Sequence, residues 1–262
     1  MQEGTSAIPF PRSVGHRPDP AGSDPSSSAL ILAENQTVIG KLPSLLAHLS
    51  AREREIVLSH GRRKVYYKGA TLFNQGAPHD GIYLIESGRI RVFYVSPSGR
   101  EITLAYWYPG NFVGGPEVFG TGIHSWTGVA ASNSSVVWLP GKQLKALITE
   151  IPALAIGIIE GLAFKGKCYS TMAQMLGTRS ATERLVHLLL HLTDTYGIPD
   201  QAGIFIGAAF THADFAHMVG ATRQWVTIFL KRLQNDGIIH CRKSQILVRD
   251  RAALAAMQNA QA

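Results

Sequence analysis

The residues in this chain best suited to chemistry lie near its C-terminus, and their arrangement suits reading a duplex. Gln224, Thr227, Ile228 and Lys231 stand at i, i+3, i+4 and i+7, so on a helix they form one stripe, with Arg223 at its N-terminal tip. No acidic residue occurs from Thr222 to Gln234. Such a face fits a major groove: an arginine can donate two parallel hydrogen bonds to guanine, a glutamine can bond a base edge, and an isoleucine can touch a thymine methyl. Lys231 and Arg232 would take phosphates, which adds affinity but no sequence information. Arg242-Lys243 sits between the apolar runs Ile238-Ile239 and Ile246 to Val248, the pattern of a hairpin wing with a basic tip.

Thr211-His212-Ala213-Asp214 has the form of a capping box opening a helix that buries Phe215, Met218 and Val219. Gly220 ends that helix, and Thr222 caps a second, in which Val226, Phe229, Leu230 and Leu233 point inward. Two short helices about a glycine turn form a helix-turn-helix. Thr211, Thr222, Arg223, Gln224, Thr227, Ile228, Lys231, Arg232, Arg242 and Lys243 are therefore the expected DNA-contacting set.

Bond-making chemistry finds little support. A cupin-like metalloenzyme needs a His-x-His pair, and none occurs between Val65 and Leu139. The chain has no complete Gly-x-x-x-x-Gly-Lys-Ser/Thr phosphate loop, since the one partial match, Gly161 to Lys167, is followed by Cys168, and it has no Gly-x-Ser-x-Gly elbow. Its two cysteines, Cys168 and Cys241, are too few and too far apart for a disulfide framework or a Cys-x-x-Cys metal site. No cofactor and no metal are expected. His79 and His124 stand in turn regions, where a lone histidine is far more often structural or solvated than a ligand.

Upstream, Tyr106, Tyr108, Phe112 and Trp126 surround the small residues Gly114, Gly115 and Pro116. Aromatic walls with a few polar hydroxyls suit an apolar or aromatic small molecule, which makes Tyr106, Tyr108, Gly115 and Trp126 the expected effector contacts. The competing reading is that these rings fill a core.

The elements that must position these groups change character along the chain. Residues 1–38 are expected to form a disordered tail, because the stretch to Ser28 is rich in Pro, Ser, Gly and Asp. A short helical stretch with Leu45, Leu46 and Leu49 on one face follows, and Ser50 with Glu53 forms a capping box for Ala51 to Ser59. From Val65 to Leu139, short β-type runs alternate with turns; Ser96-Pro97-Ser98-Gly99 reads as a hairpin turn, and Ile102, Leu104, Tyr106 and Tyr108 as the inward face of a half-buried strand. A small antiparallel roll or sandwich over 39–150 is implied.

Residues 151–180 read as a long helix with two apolar faces, one through Leu154, Ile158, Leu162, Tyr169, Met172 and Leu176 and another through Ile151, Ala155, Ile159 and Phe164. One face suits the roll and the other a second copy of the helix, which makes this a dimerisation helix. A further helix from Thr182 to Tyr196, ended by Gly197 and Pro199, turns Leu185, Leu188, Leu189 and Leu192 inward, and opens the reading unit over 181–262. The fold class is α+β.

The formal charge of +7 is compatible with a polyanionic partner. The first residues lack the pattern of an export signal, and no apolar run reaches spanning length, so a cytoplasmic protein without a membrane partner is expected.

The chain resembles the Crp/Fnr family of bacterial transcription factors. In the β-rich part the resemblance is carried by Gly69, Gly76, Asp80-Gly81-Ile82-Tyr83-Leu84-Ile85, Gly88-Arg89-Ile90-Arg91-Val92 and Pro109-Gly110-Asn111-Phe112-Val113-Gly114. In the reading unit it is carried by Val219-Gly220-Ala221-Thr222-Arg223-Gln224, Val226 and Leu230-Lys231-Arg232-Leu233. It implies a cyclic-nucleotide-binding-like β-roll, a dimerising helix and a winged helix-turn-helix acting on double-stranded DNA as a homodimer. A small-molecule effector and RNA polymerase are the further partners it implies.

The family's usual base-contacting Arg and Glu fall on Arg223 and Gln224, and its further Arg falls on Ile228. In members that bind cyclic nucleotides, a Glu holds the ribose and an Arg pairs with the phosphate; those places fall on Gly115 and Ser125, which speaks against cyclic AMP. Oxygen sensors of the family hold an iron-sulfur cluster with four cysteines, and two do not suffice. The resemblance also implies, as an alternative, a haem- or gas-responsive regulator of the same fold, with His79 or His124 as the axial ligand. A weaker resemblance links the aromatic stretch to regulators of the family that sense halogenated phenols.

Overall fold

A computed structural model describes residues 43–120, 122–207, 210–242 and 245–259. The tail expected over 1–38 lies outside them, as does Lys243. The first described segment is a run of turns where a helix was predicted. Pro43 opens it and Leu45 spends its N–H on Gly110 O at 2.8 Å, so the segment is held by the roll and is too short to sustain its own helix. Leu45 and Leu49 are buried nonetheless. Helix α1 (Ala51–Ser59) then starts as the sequence predicts, with the Ser50 side chain accepting from Glu53 N and Glu53 from Ser50 N.

Eight strands make two four-stranded antiparallel sheets: β1 (Arg62–Tyr66), β2 (Thr71–Phe73), β3 (Gly81–Ser87), β4 (Ile90–Val95), β5 (Glu101–Trp107), β6 (Phe112–Gly114), β7 (Thr127–Ala130) and β8 (Ser134–Pro140). Their orders are β1-β8-β3-β6 and β2-β7-β4-β5. The unbroken run Gly81-Ile82-Tyr83-Leu84-Ile85 is buried throughout because β3 is covered on both faces. Tyr83 and Ile85 face the roll interior, whereas Ile82 and Leu84 pack with Leu45, Leu49 and Val57 and with helices α2 (Gly141–Glu150) and α3 (Pro152–Thr178). Between β4 and β5, Gly99 supplies the positive φ of 77° that closes the hairpin at Ser96.

Strand β5 faces the opposite way from the sequence reading. Its buried residues are Thr103, Ala105 and Trp107, while Ile102, Leu104 and Tyr106 are half-buried on the outer side. The alternation is right and the side is inverted, because the outer side is itself covered: helix α5 (His212–Val219) packs against β5. A pattern of period two locates two faces without saying which one meets the larger core.

Helix α3 also redistributes its two faces. Leu154, Ile158, Phe164, Cys168, Met172 and Met175 are buried, and Leu162 lies outside with Ile156 and Ile159, which is 64% exposed. Phe164 was expected on the second face; it packs inward, its ring 6.3 Å from Trp107.

Helix α4 (Ala181–Tyr196) is capped by Ser180 and Glu183 and buries Leu185, Leu188, Leu189 and Leu192. The sequence reading did not foresee β9 (Gly197–Asp200) and β10 (Gly203–Ile206), which join β11 (Ile239–Arg242) and β12 (Gln245–Val248) in a sheet ordered β11-β12-β10-β9. The wing is therefore half of a four-stranded sheet. Helix α6 (Arg223–Asn235) follows α5, and α7 (Arg251–Asn259) packs on α4.

Candidate nucleic-acid interface and sensor interior

The reading element is built from two capped helices. Thr211 accepts from Asp214 N at 3.1 Å, and Asp214 Oδ2 accepts from Thr211 N at 2.7 Å. Helix α5 ends at Gly220, whose φ of 64° and ψ of 43° reverse the chain, and Thr222 caps α6 by accepting from Trp225 N at 3.2 Å. Phe215, Met218 and Val219 of α5 and Val226, Phe229, Leu230 and Leu233 of α6 are buried. With that side of α6 anchored, Arg223, Gln224, Thr227, Ile228, Lys231 and Arg232 are all exposed, Ile228 by 62%.

Four of the expected contacts have prior commitments, the first being Thr222, whose hydroxyl serves the α6 cap. Thr211 Oγ1 donates to Asp214 Oδ2 at 2.7 Å, so it serves the cap. Thr227 Oγ1 donates to Arg223 O at 2.9 Å and lies 2.8 Å from His212 Nδ1, which leaves its methyl as the part free to meet a base. Arg232 Nε stands 3.8 Å from Asp236 Oδ2 in an exposed pair of low strength. Arg242 is exposed at the end of β11, opposite Gln245. Sequence reasoning missed Trp225, which stacks on Phe229 at 5.3 Å beside the exposed stripe.

The reading unit is tied to the roll and to the helices. Arg184 of α4 donates from Nε to Val219 O at 2.8 Å and from Nη1 to Arg179 O at 2.6 Å, holding the end of α5. Arg91 of β4 donates to Thr103 Oγ1 and Glu101 Oε2 and reaches His217 of α5. A Cβ at Gly220 would stand 3.4 Å from Leu176 of α3 and 3.5 Å from Arg100.

The expected effector contacts do not gather around one cavity. Trp126 donates from Nε1 to Gly114 O at 2.7 Å, and its ring lies 5.8 Å from Tyr169 of α3. Tyr106 is on the outer side of β5, with the Arg89 guanidinium 5.0 Å from its ring centre, and burial pushes its phenol pKa up. Tyr108 is buried just past the end of β5. Gly115 packs on His79: a Cβ there would stand 2.0 Å from His79 Cδ2.

His79 and His124, expected as structural or solvated turn residues, are both buried, 3% and 2% exposed. The His124 ring lies 4.2 Å from Phe73, nearly parallel to it, and 4.6 Å from His79. Both ring nitrogens of His79 and Nδ1 of His124 are without a hydrogen-bond partner among the described residues. Burial lowers the pKa of both imidazoles, pushing His124 down to about 4, with His79 adding to that shift. Among the described residues no cluster of three or more His, Cys, Asp or Glu could hold a metal ion, and no helix is long and apolar enough to cross a membrane.

Comparison with known proteins assigns both halves. Residues 63–150 match the cyclic nucleotide-binding domain family, and residues 183–257 the Crp-like helix-turn-helix domain family. The chain is 30% identical over 193 residues to the global nitrogen regulator of Synechococcus elongatus, covering 72% of this chain and 86% of that protein. It is 27% identical over 206 residues to the cyclic AMP receptor protein of Thermus thermophilus, covering 79% and 92%. In fold it is similar to the c-di-GMP responsive global regulator CLP of Xanthomonas campestris, with a TM-score of 0.69, 22% identity, and coverage of 76% and 99%.

Proposed function

The chain belongs to the Crp/Fnr family of transcriptional regulators, with a ligand-binding-type β domain and a DNA-binding helix-turn-helix, and on that premise we propose that it reads a two-fold symmetric operator as a homodimer under the control of a small effector other than a cyclic nucleotide. The observation that carries the reading is the exposed stripe of α6, where Arg223, Gln224, Ile228 and Lys231 stand clear of a helix whose opposite side is buried. Arg223 takes a guanine, Gln224 a neighbouring base edge, and Ile228 with the Thr227 methyl a thymine. Lys231, Arg232 and Arg242 take phosphates.

Dimer formation is supported by Ile156, Ile159 and Leu162, an apolar stripe left exposed on α3. Pairing α3 with its copy would carry two α6 helices into successive major grooves about 34 Å apart. The packing of α5 on β5 and the Arg91 contacts support a mechanism in which a ligand-induced shift of the roll against α3 changes the spacing of the two reading heads. RNA polymerase and a cytoplasmic setting accompany this reading.

Two positions support an effector that is not a cyclic nucleotide. A ribose-binding Glu has no room at Gly115, where the His79 ring already occupies the space of a Cβ, and Ser125 is exposed and short where a phosphate would need an Arg. The Trp126 and Tyr169 rings between β7 and α3 favour an aromatic ligand. The test is selection of bound duplexes from a random library, with and without a panel of aromatic acids and phenols. The expected product is a two-fold symmetric site whose recovery changes with a ligand. Recovery of no common sequence under any condition would overturn the reading.

A further inference from the structure

Helix α3 carries a lysine that the regulator reading does not use. The Lys165 stem is half-buried along the helix, but its Nζ is enclosed, 3.3 Å from the centre of the Trp107 ring and 4.8 Å from that of Phe112, with no hydrogen-bond partner among the described residues. It borders a small cavity with room for about one water molecule, shared with Leu45, Asn111, Gly161 and Phe164. Asn111 brings a second orphan to this space. Its Nδ2 donates to Pro43 O at 2.8 Å, which fixes the amide, and its Oδ1 is buried without a partner.

The pair defines what fits. A bare anion would meet the Asn111 carbonyl oxygen, and a cation would meet the amine. A buried ammonium without a counter-charge is costly, and the amine sheds its proton readily: burial pushes Lys165 down to about 7, with Cys168 acting in the opposite direction. A desolvated neutral amine is a nucleophile. A carbonyl carbon is the electrophile that matches it, because the hydroxyl of the first adduct can donate to an acceptor such as Asn111 Oδ1, and a protonated imine nitrogen can rest on the Trp107 face. The size of the cavity favours the smallest such partner, a one-carbon aldehyde.

We propose that Lys165 is a covalent capture site for small aldehydes, formaldehyde being the smallest. Nζ adds to the carbonyl carbon, a proton passes from nitrogen to oxygen to give the carbinolamine, and loss of water leaves an imine with no net change of oxidation state. The adduct would sit where α3 meets the roll, and its formation does not depend on the identity of any non-covalent effector.

The test exposes the full-length protein to formaldehyde at near-neutral pH, traps imines with cyanoborohydride and maps N-methyl lysine by peptide mass spectrometry. The exposed lysines Lys142 and Lys145 provide the internal reference. The expected result is preferential methylation of Lys165, at least tenfold faster than at the reference lysines. Asn111→Asp, which supplies a counter-charge and keeps the size of the side chain, should abolish the preference while the circular dichroism and duplex binding stay those of the parent. Labelling of Lys165 no faster than of Lys142 and Lys145, or undiminished labelling in a folded Asn111→Asp protein, would overturn the proposal.

Discussion

Arg91 of the roll and His217 of the reading unit meet across the seam between them, Nη2 standing 3.3 Å from Nδ1, with Glu101 Oε2 2.6 Å from the same Nη2 and 3.7 Å from the imidazole. Arg91 also donates from Nε to Thr103 Oγ1 at 2.9 Å, so its fork holds two strands and a helix in one arrangement. Arg91→Ala should lower the free energy of unfolding in urea by about 1–3 kcal/mol, because it leaves the part-buried Glu101 without its cation. Arg91→Lys should recover less than half of that loss, since one ammonium cannot reproduce the fork. Unchanged midpoints in both variants would show that the seam contributes nothing.

The buried histidines set an acid limit on stability. His79, His124 and His217 all have folded-state pKa values below the ordinary 6.5, burial being the largest cause for each. Below that value the unfolded chain takes up protons that the folded chain refuses, so their stabilisation is complete above about pH 6.5 and is lost as the pH falls toward the folded values. For His124, down to about 4, the loss is bounded at about 3 kcal/mol. Denaturation midpoints should fall between pH 6.5 and 4 on account of these histidines, whereas from pH 7 to 8 they should still rise, because Lys165, held at about 7 in the fold, gives up a proton that the unfolded chain keeps. His124→Phe, which keeps the stacking on Phe73, should flatten part of that slope. The capping carboxylates Glu53 and Glu183 have lowered values and lose their contribution only at more acid pH. An identical slope in His124→Phe would assign the acid limit elsewhere.

On DNA, Arg223 and Lys231 should separate. Arg223→Ala should weaken binding to a selected operator by about 1–3 kcal/mol with little change on random duplex, as removal of a base contact does. Lys231→Ala should weaken both alike and reduce the slope of log K against log salt by about one. Equal losses on operator and random duplex for Arg223→Ala would remove it from base reading.

Local signals made the reading unit more legible in the sequence than the roll. Thr211, Asp214, Gly220 and Thr222 act within a few residues of themselves, and each cap forms as its residue type dictates. Which side of β5 faces inward depends instead on α5, more than a hundred residues away, and nothing within Ile102 to Tyr108 encodes it. The same limit hid the site residues of the interior. Gly115 is small because His79 fills its space, and His124 is buried against Phe73 and His79, all contacts between distant turns. The one sequence signal that could have flagged Lys165 was its place between Phe164 and Cys168, on the buried side of α3. Strands β9 and β10 escaped because Gly197 and Pro199 read as helix terminators, and their pairing partner β12 lies some forty residues on.

The apolar stripe on α3 makes the oligomeric state a direct test of the architecture. Ile159 is 64% exposed and Ile156 48%, so in an isolated chain a charge at either position meets water and costs little. Packed against a second copy, the same charge would be buried without a partner on both helices at once, a penalty large enough to dissociate the pair. Ile159→Glu should therefore sediment as a monomer at concentrations where the parent chain sediments as a dimer, with an unchanged far-ultraviolet circular dichroism spectrum. Its affinity for a two-fold operator should collapse toward that of one reading head, while Arg223 and its helix stay intact. A dimer that survives Ile159→Glu, or a parent chain that is already monomeric, would mean that two α6 helices are not brought together by α3.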